Sequence, residues 1–314
     1  MLLCYSIYDI FVNWNIGYTG NMNRCLYRLG VDVGGSHITC ALIDSATCQI
    51  LHDRVLRADI HTHGESDAIL TEFTEVIKRS AGDFLTSTAT IGFAFPGPFD
   101  YEQGICLIPP ELTKYENLFG VNIKTELTRR LGFQGTMHFM NDAACFAIGE
   151  HRMGGARGSK RTLALAIGTG FGSTFLAEGR PIILGPTVPK DGMLWHVPYN
   201  GDIADETFSS RGLIKAWKAV TGETINGVKE LDDLARAGDQ RALAVFENWG
   251  AQMAECLTPW LYACNVDTIV LGGNIAKARE WFVPALKSGI GGNIRVTPAE
   301  LGESAQMIGA ALIG

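Results

Sequence analysis

The sequence predicts an α/β protein in two similar halves that face each other across a cleft. Apolar strands alternate with amphipathic helices, the pattern of sheets covered by helices. A strand–glycine turn–strand unit occurs at 29–43 and again at 162–176, and a strand ending in Gly or Pro occurs at 89–98 and again at 267–273. The length, 314 residues, suffices for two full cores. Halves repeated in this way bring both glycine turns to one cleft.

In chain order, Leu29 to Val33 reads as a buried strand that Gly34-Gly35-Ser36 turns into Ile38 to Ile43, and Asp44 to Thr47 turns into Ile50 to Leu56. Asp32 stands inside the first apolar strand, just before the glycines. A buried acid is costly unless it is paired, hydrogen-bonded or near a metal. Beside a glycine turn, the favoured role is an acid close to the Mg²⁺ of a nucleotide; the competing one is a carboxylate that satisfies turn N–H groups. Asp67 to Phe84 is an amphipathic helix, and Ala89 to Phe95 is a strand ending in Pro96-Gly97-Pro98. A loop follows, then a helix at Ile123 to Leu131 and a strand at Thr136 to Met140.

That strand feeds Asn141-Asp142, which opens an apolar helical run, Ala143 to Met153. Both residues are good caps, and capping alone explains them. Thr162 to Ile167 is a buried strand, and Gly168-Thr169-Gly170-Phe171-Gly172 turns it back into Thr174 to Leu176. Glycines at every second position let the backbone approach a ligand and aim N–H groups at an anion. A carboxylate at a helix start beside such a turn suggests phosphoryl transfer. After a strand at Pro181 to Leu184, residues 185–205 read as irregular, and a loop that long is usually functional. Helices are expected over Glu206 to Val220, Val228 to Ala237 and Gln240 to Cys264, where Pro259 is a candidate kink. Asp267 to Leu271 is a strand before Gly272-Gly273-Asn274, and Ala305 to Leu312 a packed terminal helix.

Composition bounds the partners. Hydrophobic residues make up 46%, charged residues 19%, and the net charge is −7. No basic field invites nucleic acid, and no apolar run approaches a membrane-spanning length. The eight cysteines are scattered without metal-ligand spacing, which points to a reducing, cytoplasmic compartment. Residues 1–21 are apolar and aromatic without Lys or Arg, so Met22 is the expected start; an edge strand or a partner-binding arm is the alternative.

Taken together, Asp32-Val33-Gly34-Gly35, Pro96-Gly97-Pro98, Asn141-Asp142-Ala143, Gly168-Thr169-Gly170-Phe171-Gly172, Leu271-Gly272-Gly273 and Ile308-Gly309-Ala310-Ala311 resemble the ROK family of sugar kinases and repressors, within the actin-like sugar kinase superfamily. The resemblance covers nearly the whole chain from about Leu29. It implies duplicated ribonuclease-H-like domains with an interlobe active site: an N-terminal extension at 1–28, one lobe at 29–140 with the C-terminal helix 303–314 packed back on it, and the other at 141–302. It implies ATP with Mg²⁺, a hexose or amino-sugar substrate, and a homodimer. Asp142 would be the general base. Gly34, Gly35, Gly168, Thr169 and Gly170 would form the phosphate turns, with Asp32 beside them and Gly272 and Gly273 at the adenosine site. Gly97, Asn141, His196 and Glu206 would contact the sugar.

Three departures from the family pattern stand out. The usual zinc-binding cysteine segment is shortened to 197–205, without cysteine, so no metal is expected there. The signature Gly-Glu-x-Gly-His reads Gly192-Met193-Leu194-Trp195-His196, and the Asn of Pro-Asn-Leu is Glu111. Polyphosphate-dependent glucokinases also lack the zinc motif, which keeps polyphosphate open as a donor. A weakly catalytic sugar-sensing regulator is the alternative, although basic residues for DNA contacts are lacking before Arg24.

Overall fold

The computed structural model describes residues 26–112 and 114–314. The expected N-terminal segment 1–21 and the start at Met22 lie outside them.

The first sheet is laid down by β1 (Tyr27–Val33), β2 (His37–Asp44) and β3 (Ile50–Asp59), antiparallel in sequence. Helix α1 (Ser66–Ala81) then crosses to β4 (Thr88–Phe95), parallel to β1. The hairpin β5 (Phe99–Asp100) and β6 (Ile105–Cys106) and helix α2 (Ile123–Leu131) lead to β7 (Thr136–Asn141), parallel to β4. The strand order is β3-β2-β1-β4-β7. Its core joins the inner sheet face to α1 and α2 through Leu29, Val31, Phe73, Ile77, Phe93 and Leu127.

Helix α3 (Asp142–Met153) leaves β7 with no linker and opens the second half. There β8 (Arg161–Ile167), β9 (Phe171–Ala177) and β10 (Arg180–Pro181) run antiparallel. A small hairpin, β11 (Pro198–Tyr199) with β12 (Asp202–Ile203), leads into α4 (Ala204–Thr207). Helices α5 (Ser210–Thr221), α6 (Val228–Arg236) and α7 (Gln240–Ala263) follow, then β13 (Thr268–Gly272), α8 (Arg279–Ile290) and β14 (Arg295–Pro298). The order β10-β9-β8-β13-β14 repeats that of the first sheet, with three antiparallel strands followed by two parallel ones. Trp249 anchors the second core. Its indole stands edge-on to Phe282, and its Nε1 donates to the Thr207 carbonyl at 2.8 Å.

The last helix, α9 (Ser304–Ala311), packs against β1 and β4 on one side and α3 on the other. Glycines make the approach possible. A Cβ on Gly30 would fall on the Met307 carbonyl, one on Gly92 on that of Ala310, one on Gly149 on that of Ala305, and one on Gly309 on that of Cys145.

Several expected boundaries shift. The helix expected to reach Phe84 ends at Ala81, because Gly82 turns left-handed at φ 54°, and a 3₁₀ stretch replaces its last turn. The single helix expected over Glu206 to Val220 is two, α4 and α5, broken at buried Phe208 and Ser209. Strand β9 begins at Phe171 rather than Thr174, so the second glycine turn is only three residues long. The strand expected over Pro181 to Leu184 shrinks to Arg180–Pro181, and Ile183 and Leu184 are exposed.

Candidate active site

The sheets fix where the glycine turns lie. Strands β1, β4 and β7 are parallel and end at Val33, Phe95 and Asn141, so Gly34-Gly35, Gly97 and Asn141-Asp142 share one edge of the first sheet. Strands β8 and β13 are parallel too, which brings Gly168–Gly170 and Gly272-Gly273 to one edge of the second. Gly273, at φ 85°, packs on Ile167, the residue before the other turn.

Asn141 and Asp142 join the two edges. The Ala143 N–H donates to Asn141 Oδ1 at 3.0 Å and to Asp142 Oδ1 at 2.9 Å, so both side chains cap α3. The Cβ of Ala143 lies 3.4 Å from where a Cβ on Gly172 would sit. The Asp142 backbone is therefore one residue from a contact with the start of β9. Asn141 Nδ2 donates to Tyr101 Oη at 3.3 Å, and that hydroxyl donates to the Phe95 carbonyl at 3.1 Å. Tyr101 Oη is also 3.2 Å from the Cβ position of Gly97, which ties Gly97 and Asn141 into one cluster.

Asp32 faces this cluster. Burial first, then the charges of Asp142 and Glu303, push its carboxyl up to about 7, and Arg57 acts weakly in the other direction. Two acids this close repel, and a divalent cation would relieve them. Mg²⁺ needs only one or two carboxylates because it keeps waters and phosphate oxygens as its other ligands. Asp32 fits that requirement. Among the described residues, no group of three or more His, Cys, Asp or Glu is placed to hold a metal.

Both turns present backbone donors. The Gly34 N–H is held by His37 O at 2.8 Å, whereas those of Gly35 and Ser36 have no protein acceptor among the described residues. In the second turn, Gly168 N–H donates to Gly170 O at 3.0 Å, and Thr169 and Gly170 keep free N–H groups on the same terms. A clamp from α4 and α5 steadies this turn. Asp205 Oδ1 accepts the Phe171 N–H at 2.6 Å, Ser210 N–H donates to Gly168 O at 2.8 Å, and Arg211 Nη1 donates to Thr169 O at 2.8 Å. Arg211 also pairs with Asp205 and, at 2.9 Å, with Glu206.

Glu206 therefore lies beside the second turn, joined to it through Arg211. His196 is half-buried, with its ring 5.0 Å from the exposed Trp195 ring and edge-on to it. The Trp195 carbonyl accepts from Asp205 N–H at 2.9 Å, and Leu194 N–H donates to Ser173 Oγ at 2.7 Å, so this segment is pinned to α4 and β9. Among the described residues, no hydrogen bond joins His196 or Glu206 to Asn141 or Asp142. Asp205 and Arg211 are contributions the sequence reading did not assign. Their signal was an acid and an arginine at i and i+6 bracketing a helix break, which is legible only once the break is known.

Beside Gly272, a cavity of about 520 Å³ opens between β13, β14 and α8, lined by Leu271, Lys277, Arg279, Val283, Lys287 and Pro298.

The model of the ROK family matches residues 28–314. The chain belongs to the ROK family. It is 27% identical over 317 aligned positions to the glucokinase of Thermotoga maritima, covering 92% of this chain and 97% of that protein. It is 24% identical to the N-acetylgalactosamine kinase AgaK of Shewanella sp., covering 91% and 96%. The crystal structure of the ROK hexokinase from Thermus thermophilus matches its fold with a TM-score of 0.76 at 22% identity, covering 91% of this chain and 97% of that one. The ROK fold is thus an α/β fold with two sheet-containing lobes in this chain as well.

Proposed function

We propose that this ROK protein transfers the γ-phosphoryl group of ATP to a hydroxyl of a hexose or N-acetylhexosamine, with Asp142 as general base. It is a carbohydrate kinase. The observation that carries the reading is the packing of Ala143, the residue after Asp142, on Gly172 in β9, just past the second glycine turn, with Asp32 close enough to feel the Asp142 charge. In the step, the sugar O–H proton passes to the Asp142 carboxylate as the oxygen attacks the γ-phosphorus. The bond from that phosphorus to the β–γ bridging oxygen breaks, and ADP leaves.

Free N–H groups of Gly35, Thr169 and Gly170 hold the phosphates in line. Asp32 would hold Mg²⁺, which would neutralise phosphate charge when bound and leave the Asp142 carboxylate free to act as the base. The Gly272-Gly273 turn and the cavity beside it take the adenosine; a volume of about 520 Å³ is ample for it. Gly97, Asn141, His196 and Glu206 hold the sugar hydroxyls. We read the two sheets as copies of a ribonuclease-H-like unit, an assignment their shared strand order supports. The buried free thiols of Cys40, Cys106 and Cys145 suit the cytoplasm.

The test is ADP release coupled to a reporter over a panel of hexoses and N-acetylhexosamines, with ATP and with polyphosphate. Sugar-dependent ADP release supports the reading. Turnover with polyphosphate alone replaces the donor, and no turnover with any sugar refutes the proposal.

A further inference from the structure

We infer that Lys114 is a ligand of the donor phosphates, its ammonium standing over the first glycine turn. The inference rests on the kinase reading above and adds a cation that no motif supplied. Its basis is a contact made possible by the missing side chain of Gly35. Lys114 Cε and Nζ lie 3.3 and 3.4 Å from the position a Cβ on Gly35 would take. The ammonium therefore lies over a stretch of backbone whose Gly35 and Ser36 N–H groups have no protein acceptor among the described residues.

The loop carrying Lys114 is fixed in place. The next residue, Tyr115, is fully buried against Phe73 and Phe95, and its hydroxyl donates to the Gly34 carbonyl at 2.6 Å. Its backbone holds a left-handed φ of 56°, uncommon for a bulky residue, so surrounding contacts must maintain it. Glu116 meets His63 Nδ1 at 2.8 Å, and Asn117 Nδ2 donates to the Gly64 carbonyl at 2.9 Å. Lys114 is thus fastened to the same turn by its neighbour. Among the described residues, no carboxylate forms an ion pair with it. An unpaired ammonium above two free N–H groups is a site for an anion. In this cleft the anion on offer is the phosphate chain of the donor, which a lysine meets as a point charge.

The experiment compares wild-type protein with Lys114→Met, Lys114→Arg and Gly35→Ala, reading kcat and the KM values for ATP and for sugar, with Tm as the folding control. Methionine keeps the apolar stem and removes the charge. We expect kcat/KM for ATP to fall about 10²-fold, as when one charge-stabilising donor is removed, while the sugar KM and Tm hold. Arginine should recover part of the loss. Gly35→Ala, whose new methyl displaces the lysine stem, should show a smaller loss in the same parameter. Unchanged kcat/KM for ATP in Lys114→Met overturns the inference, as does an equal loss for ATP and sugar together with a fall in Tm. If the methionine variant does not fold, Lys114→Gln carries the same comparison. If wild-type protein phosphorylates no sugar, the kinase reading fails separately. ATP affinity by calorimetry then decides for Lys114: weaker binding by the variant upholds the contact, and equal binding removes it.

Discussion

Asp32 lies in a strand whose neighbours are apolar, and its carboxyl holds its proton up to about pH 7, against 3.8 ordinarily. The unfolded chain releases that proton near the ordinary value. The folded state binds more protons between the two values, so stability falls as pH rises through this window, and the loss is complete above about 7. The full shift corresponds to about 4 kcal/mol. Asp32→Asn should therefore be more stable than wild type at pH 8 in the absence of Mg²⁺, and no more stable below pH 4, while losing activity. Denaturant unfolding at the two pH values tests this; a variant less stable at pH 8 would mean that the carboxylate is paired. Arg211 makes the opposite case, a residue whose contacts all serve a neighbour. It bridges Asp205, Glu206 and the Thr169 carbonyl. Arg211→Ala should free the second turn and lower kcat/KM about 10²-fold, the scale of a misplacement near 1 Å, and unaltered turnover would place the phosphates elsewhere. Asp32 and the second glycine turn stood out in the sequence because each breaks a local rule, an acid in an apolar strand and glycines at alternate positions, whereas Asp142, an ordinary helix cap, was singled out by its place beside that turn and by the resemblance. Lys114, Asp205 and Arg211 were not legible, because lysines, acids and arginines in loops and first turns are ordinary until their partners are known.

At the scale of elements, local signals served well where caps agreed with periodicity. Helix α2 spans the expected Ile123–Leu131, since the Asn122 side chain accepts from Thr125 N–H at 2.8 Å and Gly132 closes the other end at φ 60°. The break between α4 and α5 escaped because buried Phe208 continues the apolar pattern without a Gly or Pro to mark the stop, although Ser209, the N-cap residue of α5, is a helix-start signal. The packing of α9 was legible only through resemblance. Its glycine contacts join residues more than 150 positions apart, and no periodicity reports such a distance. Gly92 is the sharpest of them, with a Cβ falling on the Ala310 carbonyl. Gly92→Ala should force α9 away from β4 and cost about 1–3 kcal/mol, the range for overpacking a tight core. Chemical denaturation measures it, and a cost near zero would show that α9 does not bear on the first sheet. Glu150 fixes the segment before α9. Fully buried, it accepts from the N–H groups of Gly155 at 2.8 Å, Glu300 at 3.0 Å and Leu301 at 2.9 Å. Removing it as Glu150→Ala strands three donors at about 1–3 kcal/mol for each one left buried and unpaired.

At the scale of the whole molecule, two joints connect the sheets. One is the peptide between Asn141, the last residue of β7, and Asp142, the first of α3. The other is the run from β14 to α9 that Glu150 holds. Helix α3 bears on the second half through Ala143 against Gly172 and Phe146 against Gly272. Asn141 thus belongs to one sheet while Asp142 leads the helix that packs on the other, and the proposed base sits at the pivot. Rotation about this joint would swing the turns of the two sheets together with little displacement of the base. Closure of that kind excludes water from the phosphoryl transfer. Asp142→Asn should separate the two roles. Asn141 still accepts the Ala143 N–H, so α3 keeps a cap and Tm should stay close to wild type. Turnover should fall about 10²–10⁴-fold with the loss of the base. Ligand-driven compaction should persist: sugar with a non-hydrolysable ATP analogue should reduce the radius of gyration in wild type and variant alike, read by solution X-ray scattering. Wild-type-like turnover in the variant would remove Asp142 as base. Compaction in wild type but not in the variant would instead make its carboxylate part of the closing contact.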